Sequence, residues 1–125
     1  MAITWTDATL NAQADGDAGR CDFVSLHTGD PGSTGASEAA GGSPAYARQA
    51  SGFSAAGTEG PLGVSQPATV GVAWGEVTFD LPAGDYTHYG FWDGSTFVGG
   101  GSLPSMVSLA GQGAQQISVA VGPEA

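Results

Sequence analysis

Alternation of apolar and polar positions is clearest in two stretches of the chain. Over residues 70–81 (VGVAWGEVTFDL), Val70, Val72 and Trp74 share one parity, and Val77, Phe79 and Leu81 continue in the other. A period of two marks a strand with one buried face. Gly75 sits at the change of parity, where a bulge would insert one extra residue. Over residues 115–121 (QQISVAV), Ile117, Val119 and Val121 alternate cleanly and are expected to point inward. Residues 86–92 (YTHYGFW) read as an aromatic strand, and Asp93-Gly94 is a hairpin signal before a further strand at residues 95–98. In the preceding LPAGD, Pro82 and Gly84 supply the preset and positive φ of a tight connection. Residues 22–28 (DFVSLHT) alternate loosely, and residues 44–50 form the next extended piece.

Helical periodicity is confined to residues 4–15. Thr4 or Thr6 can cap that helix, Asp7 suits the positive end of its dipole, and Gly16 can end it. Trp5, Ala8 and Ala12 fall at helical spacing, with Leu10 off that stripe. Turn signals recur at intervals of about ten residues, which favours a sandwich or barrel over a parallel sheet with helices. The predicted fold is mainly β: a single antiparallel β-sandwich or small barrel with a short N-terminal helix and long surface loops. The longest loop, residues 29–43, is rich in Gly, Ser and Ala, and loops of that length are usually functional or disordered. Its side chains are too small and polar to make a core. It is therefore expected to be an exposed arm whose backbone finds partners mainly in a neighbouring subunit.

At 125 residues the chain is expected to be one domain, 1–125, with one modest core. Its 41% apolar content, with three Trp, three Tyr and five Phe, opposes disorder despite 22 glycines. Lysine is absent, and Arg20 and Arg48 stand against twelve acids, for a net charge of −10. That balance argues against a nucleic-acid backbone, which needs cations to displace counterions, and against an anionic membrane. Its plain consequence is solubility through mutual repulsion, and its functional alternative is steering onto a basic platform. Cys21 is single, so no intrachain disulfide can form. No run reaches the ~20 apolar residues of a membrane helix. The first residues carry no basic region followed by an apolar core, so no secretory signal and a cytoplasmic site of synthesis are expected.

Groups able to do chemistry are few. His27 has Thr28 and Asp30 close by, so a His–Asp pairing is conceivable, but no GxSxG elbow supplies an activated serine. His88 lies among aromatics and reads as a packed or hydrogen-bonded strand residue. Asp15-Gly16-Asp17 resembles the start of a calcium loop, yet position 26, where the closing glutamate would stand, is Leu26. One Cys and two distant His make no zinc set. The glycines of residues 29–42 lack the GK[ST] ending and following helix that hold a phosphate. The aromatic strand could stack on sugars or simply fill a core with Tyr89, Phe91 and Trp92. No catalytic residue, metal or cofactor is expected.

The wording of several segments is familiar. LHT followed by DPG, TGA and GGSPAYAR resembles a family of small bacteriophage virion proteins of actinobacteriophage type, comprising capsid decoration, minor tail and tail fibre proteins. TWTDATLNAQ, VTFDLPAGDYTHYGFWDG and FVGGGSL fit the same order and spacing, so the resemblance covers residues 4–49 and 77–103. The chain departs from it at Gly29, where Ala is common, and in the acids Asp15, Asp17 and Asp22.

The resemblance implies a virion structural protein, not an enzyme. The first expectation is a decoration protein on the outer surface of the head, bound to the major capsid protein. The alternative is a minor tail or tail fibre component contacting the host surface, with tail proteins as partners. Either way a homo-oligomer on the virion is expected. The expected partner-binding residues are Asp30, Pro31, Gly32, Thr34, Gly35, Tyr46 and Arg48. Arg48 either pairs with an acid of its own subunit or anchors an acidic group of a partner.

Overall fold

The computed structural model describes residues 3–125; the first two residues of the expected domain, 1–125, lie outside the described ones. The elements run α1 (Asp7–Gly19), β1 (Phe23–His27), β2 (Gln49–Ala50), a 3-10 turn (Gly63–Ser65), β3 (Ala73–Leu81), β4 (Gly84–Asp93), β5 (Thr96–Leu109) and β6 (Gly113–Val121). The protein is mainly β, with antiparallel, sandwich-like packing and no closed barrel among the described residues. Four strands form one sheet in the order β2-β1-β4-β5, and β3 pairs with β6. The chain divides into two compact units.

The first unit comprises the chain up to Arg20, Gly52–Glu76 and Ser118–Ala125. Thr6 caps α1 by accepting from the Thr9 amide, as one of the two expected caps, with Asp7 in the first turn. Gly16 does not end the helix, which runs another turn to Gly19. Contacts made by the helix outweigh the ~1 kcal/mol that an interior glycine costs. Ala14 is fully buried, at a spot where a Cβ on Gly122 would fall 2.6 Å from its own Cβ. Asn11 Oδ1 accepts from the Gly71 amide and Asp15 Oδ1 from the Ala56 amide, so the helix holds two connecting segments. Asp15 of the calcium-like triplet is thereby a structural acceptor. The predicted apolar stripe is corrected: Trp5 lies before the helix and is half exposed, Ala8 and Ala12 are exposed as well, and the buried side is marked by Ala14.

The start of β3 in this unit corrects the predicted bulge. Burial keeps one parity through Ala73, Gly75, Val77, Phe79 and Leu81, while Val70 and Val72 precede the strand. Small residues stand inward at 73 and 75 because another stretch of chain approaches there. Phe53 bridges to Gly75, and a Cβ on Gly75 would meet the Gly52 carbonyl at 2.7 Å. Trp74 takes the opposite side and donates its indole N–H to the Pro67 carbonyl. Buried Gln66 donates to the Gly75 carbonyl and to Ser118 Oγ, and accepts from the Leu62 amide.

The second unit comprises Cys21–Ser51 and Val77–Ile117. Its buried side chains include Val24, Leu26, Val77, Phe79, Leu81, Tyr86, Phe91 and Ile117. β4 and β5 close a hairpin in which Asp93 pairs Thr96, so Gly94 (φ 58°) and Ser95 form the two-residue turn. Residues 82–83 form the expected tight connection, with Gly84 at φ 153°; it is a corner between sheets, since β3 and β4 belong to different ones, and the Tyr86 hydroxyl ties it by donating to the Pro82 carbonyl. The expected extended piece at residues 44–50 shortens to two paired residues, Gln49 and Ala50, against Val24 and Phe23. Before them the chain turns through residues 42–45, with a cis Ser43–Pro44 peptide. β5 runs eleven residues past the predicted end, Val98, to Leu109, because Gly99, Gly100 and Gly101, and further on Val107, Ser108 and Leu109, pair with β4.

Phe79 is fully buried and its ring stacks on Tyr46 at 6.1 Å. Phe79→Ala should lower the unfolding free energy by ~3–5 kcal/mol in urea denaturation. Val64→Ala, at a side chain 94% exposed, should change it by less than about 0.5 kcal/mol.

Candidate functional site

β1 is buried at four consecutive positions, Val24 to His27, so both of its faces are covered. Alternation puts Val24 and Leu26 on one face and Ser25 and His27 on the other. The second face has a floor of very small residues. Ser25 pairs with Gly90, which pairs with Gly100. A Cβ on Gly90 would stand 2.6 Å from Ser25 Oγ and 2.8 Å from His27 Nε2, and one on Gly100 would stand 3.1 Å from the Pro31 ring. These glycines leave room for the loop of residues 29–43 to lie on the sheet. Of the GGG run of β5, Gly100 is the residue packed beneath the loop; Gly101 meets the Tyr89 hydroxyl on the other face, and Gly99 is open.

The loop is fastened by its own chain. The Thr28 amide donates to the Ser37 carbonyl, the Ala39 amide donates to the Leu26 carbonyl, and Glu38 bridges to His27 beside β1. Its first turn is local: Asp30 Oδ1 accepts from the Gly32 amide, and the Pro31 carbonyl accepts from the Gly35 and Ala36 amides. Gly35 has φ 78°, and a Cβ there would stand 2.9 Å from the Trp92 ring, so both conformation and space require glycine. Most residues of the loop are exposed, as expected, but Pro31 and Ala39 are buried. Two of its backbone groups, the Ala39 amide and the Ser37 carbonyl, find partners within the same chain, on Leu26 and Thr28.

Two side-chain clusters secure the arrangement. In the first, Trp92 Nε1 donates to Ser25 Oγ (2.8 Å), Ser25 Oγ lies 2.7 Å from His27 Nε2, and His27 Nδ1 lies 2.7 Å from the Ala36 carbonyl. A carbonyl only accepts, so Nδ1 carries the proton and Nε2 accepts from the serine hydroxyl. Burial lowers the His27 pKa and keeps the ring neutral; the Ala36 carbonyl and the Glu38 carboxylate oppose the shift, while His88 and Arg48 add to it. A hydroxyl and an imidazole at this distance have the makings of a nucleophile and its base. Both are fully buried, however, and the serine oxygen already accepts from the indole. The pair binds the loop to the sheet.

In the second cluster, Arg48 Nε and Nη2 donate to Glu38 Oε2 and Oε1, each at 2.9 Å. The Arg48 guanidinium lies 3.3 Å from the centroid of the Trp92 ring. Tyr46 donates to Glu38 Oε2 and accepts from the Leu26 amide. Burial pushes the Glu38 pKa up, but the hydrogen bonds from Arg48 and Tyr46 outweigh it and hold the carboxyl below its ordinary value. Burial likewise raises the Tyr46 phenol. Arg48 thus pairs within its own subunit.

Of the seven expected partner-binding residues, Asp30, Gly32 and Thr34 are exposed at the loop tip. Pro31 and Gly35 pack on the sheet, and Tyr46 and Arg48 are spent on Glu38. Sequence reasoning missed Ser25, Glu38 and the Ala36 carbonyl. Glu38 carried a signal, as the one acid of residues 31–49, ten positions before the one base. His88 is half-buried, and its Nδ1 lies 2.7 Å from Thr87 Oγ1. The aromatic strand splits between the faces: Trp92 lies under the loop with Phe97 edge-on to it, whereas Tyr89 and Phe91 meet each other on the opposite face. No helix among the described residues is long and apolar enough to cross a membrane.

The sequence profile of the family Gp80, podophage GP4 fiber I protein gp80, matches residues 3–116, most of the chain. The chain belongs to this Gp80 family. It is a structural protein of the phage virion. The Gp80 match supports the fibre alternative better than capsid decoration, the first expectation. No curated protein and no solved structure matches the chain.

Two measurements check the clusters. A neutral buried His27 contributes stability that is full above about pH 6.5 and is lost as the pH falls through its depressed folded value, because the unfolded chain takes up the proton first. The unfolding free energy should therefore start to fall just below pH 6.5, ahead of the carboxylates, and in His27→Gln that early fall should vanish. Arg48→Ala leaves the half-buried Glu38 carboxylate short of two donors and should cost about 1–3 kcal/mol. Limited proteolysis of the same variant should open cleavage within residues 29–43. Arg48→Lys should restore only part of both, because an ammonium cannot make the bidentate, stacked contact.

Proposed function

We propose that this protein is a tail fibre component, a chemically inert β module that holds a small-residue loop rigid and presents its tip for docking. The Gp80 match across residues 3–116 carries the fibre assignment. The geometry fits it: the hydroxyl–imidazole pair most like catalytic machinery is buried and fastens the loop. Asp30, Gly32 and Thr34 at the exposed tip are the residues offered to a tail protein or to the host surface. A rigid loop loses little conformational freedom on docking, which favours binding by shape and backbone contact. The net charge of −10 steers the module toward basic partners and away from nucleic acid.

Stoichiometry and position on the particle test this reading. Gel densitometry of purified virions should give a copy number on the scale of the tail proteins, and gold-labelled antibody should mark the tail. A copy number comparable to that of the major capsid protein, with label over the head, would establish decoration instead.

A further inference from the structure

β5 is an edge strand of fourteen residues, and none of them is buried. It nevertheless carries Phe97, Val98, Leu103, Met106, Val107 and Leu109, with Met106 57% exposed. Midway it leaves its ladder. His88 pairs with Ser102 and Tyr86 with Val107, so Leu103, Pro104, Ser105 and Met106 stand opposite Thr87 alone. An excursion of this kind ordinarily protects an edge by twisting it away or by bearing charge. Here it bears apolar side chains. The charge pattern is just as uneven: residues 94–123 contain no Asp, Glu, Lys, Arg or His, in a chain with twelve acids.

We infer that β5 is a self-association surface, where Thr96–Leu109 of one copy packs against the same strand of a second copy with residues 103–106 at the centre. Charge selects the occupant. Copies carrying −10 each repel one another, and apposed like charges at a contact add to the cost. Asp85, which accepts from Ser108, and Asp93, opposite Thr96, flank the two ends of β5, so its middle, residues 103–106, is where two such copies can meet without bringing carboxylates together. A basic partner, which the rest of the chain would attract, gains nothing from this strand. Topology selects the geometry. The opposite edge of the same sheet is β2, only two residues long, so β5 has no long complementary edge in its sheet and meets its own kind. A surface that pairs with itself does so across a two-fold axis and closes as a dimer. The contact rests on these residues and does not require the fibre assignment.

Sedimentation velocity of the full chain over a dilution series tests the contact. The wild type should sediment as a dimer that dissociates on dilution. A Ser105→Asp, Met106→Glu variant changes two exposed positions and should keep the far-UV spectrum and melting temperature. Its dimer should be weaker by about a hundredfold or more, since each apposed like charge costs several kcal/mol and 1.4 kcal/mol is tenfold. Val64→Glu adds a carboxylate elsewhere and should associate as the wild type does. Amide exchange across residues 96–109 should slow as wild-type concentration rises, a readout that needs no variant. A wild type that stays monomeric, a larger assembly, a β5 variant that dimerises normally, or exchange independent of concentration would each overturn the inference.

Discussion

Arg48 satisfies two different demands with one planar group. The edge of its guanidinium meets Glu38 through two parallel hydrogen bonds, and its face covers the Trp92 ring. Covering Trp92 closes the second face of the sheet, where the indole also donates to Ser25. Holding Glu38 fixes the segment whose neighbours, Ser37 and Ala39, bond to β1. The loop, the sheet face and the link back to β2 therefore share one cation. In a chain with only two arginines and no lysine, no other nearby side chain can replace it, and an ammonium would lack the geometry.

The strands best read from the sequence were those with one face against a core. β6 kept its alternation, with Ile117, Val119 and Val121 inward. The hairpin at Gly94 followed from a local signal that needs no tertiary information. Pattern reading failed where small residues occupied inward positions. Ala73 and Gly75 look polar-neutral in a hydropathy pattern, so Val70, Val72 and Trp74 appeared to define the face; the approach of Phe53, far off in sequence, made glycine the inward residue. Gly16 is the same lesson in a helix. Its low propensity was outweighed by contacts made by Asn11, Ala14 and Asp15 with distant parts of the chain.

The candidate site was legible in outline and not in use. Residues 29–43 stood out by length and composition, and Arg48 by its rarity. What could not be read was that Gly90 and Gly100 pave the sheet beneath the loop, since their role appears only once β1, β4 and β5 are in register. Ser25 and His27 alternate as polar residues on a strand, which ordinarily means a solvated face. They are buried because the loop supplies the cover that a second sheet would otherwise give.

This fastening sorts the loop into two kinds of position. Pro31, Gly35, Ala36, Glu38 and Ala39 are tied to the sheet by packing, by a carbonyl or by charge. Gly32, Ser33, Thr34 and Ala40 lie exposed between and beyond the ties. Gly32, at φ 59°, is kept by its backbone, whereas drift at Ser33, Thr34 and Ala40 leaves the scaffold untouched, so those three positions behave as an exchangeable cassette on a constant frame. If the tip docks as proposed, its grip can be rewritten one residue at a time without refolding the protein that carries it.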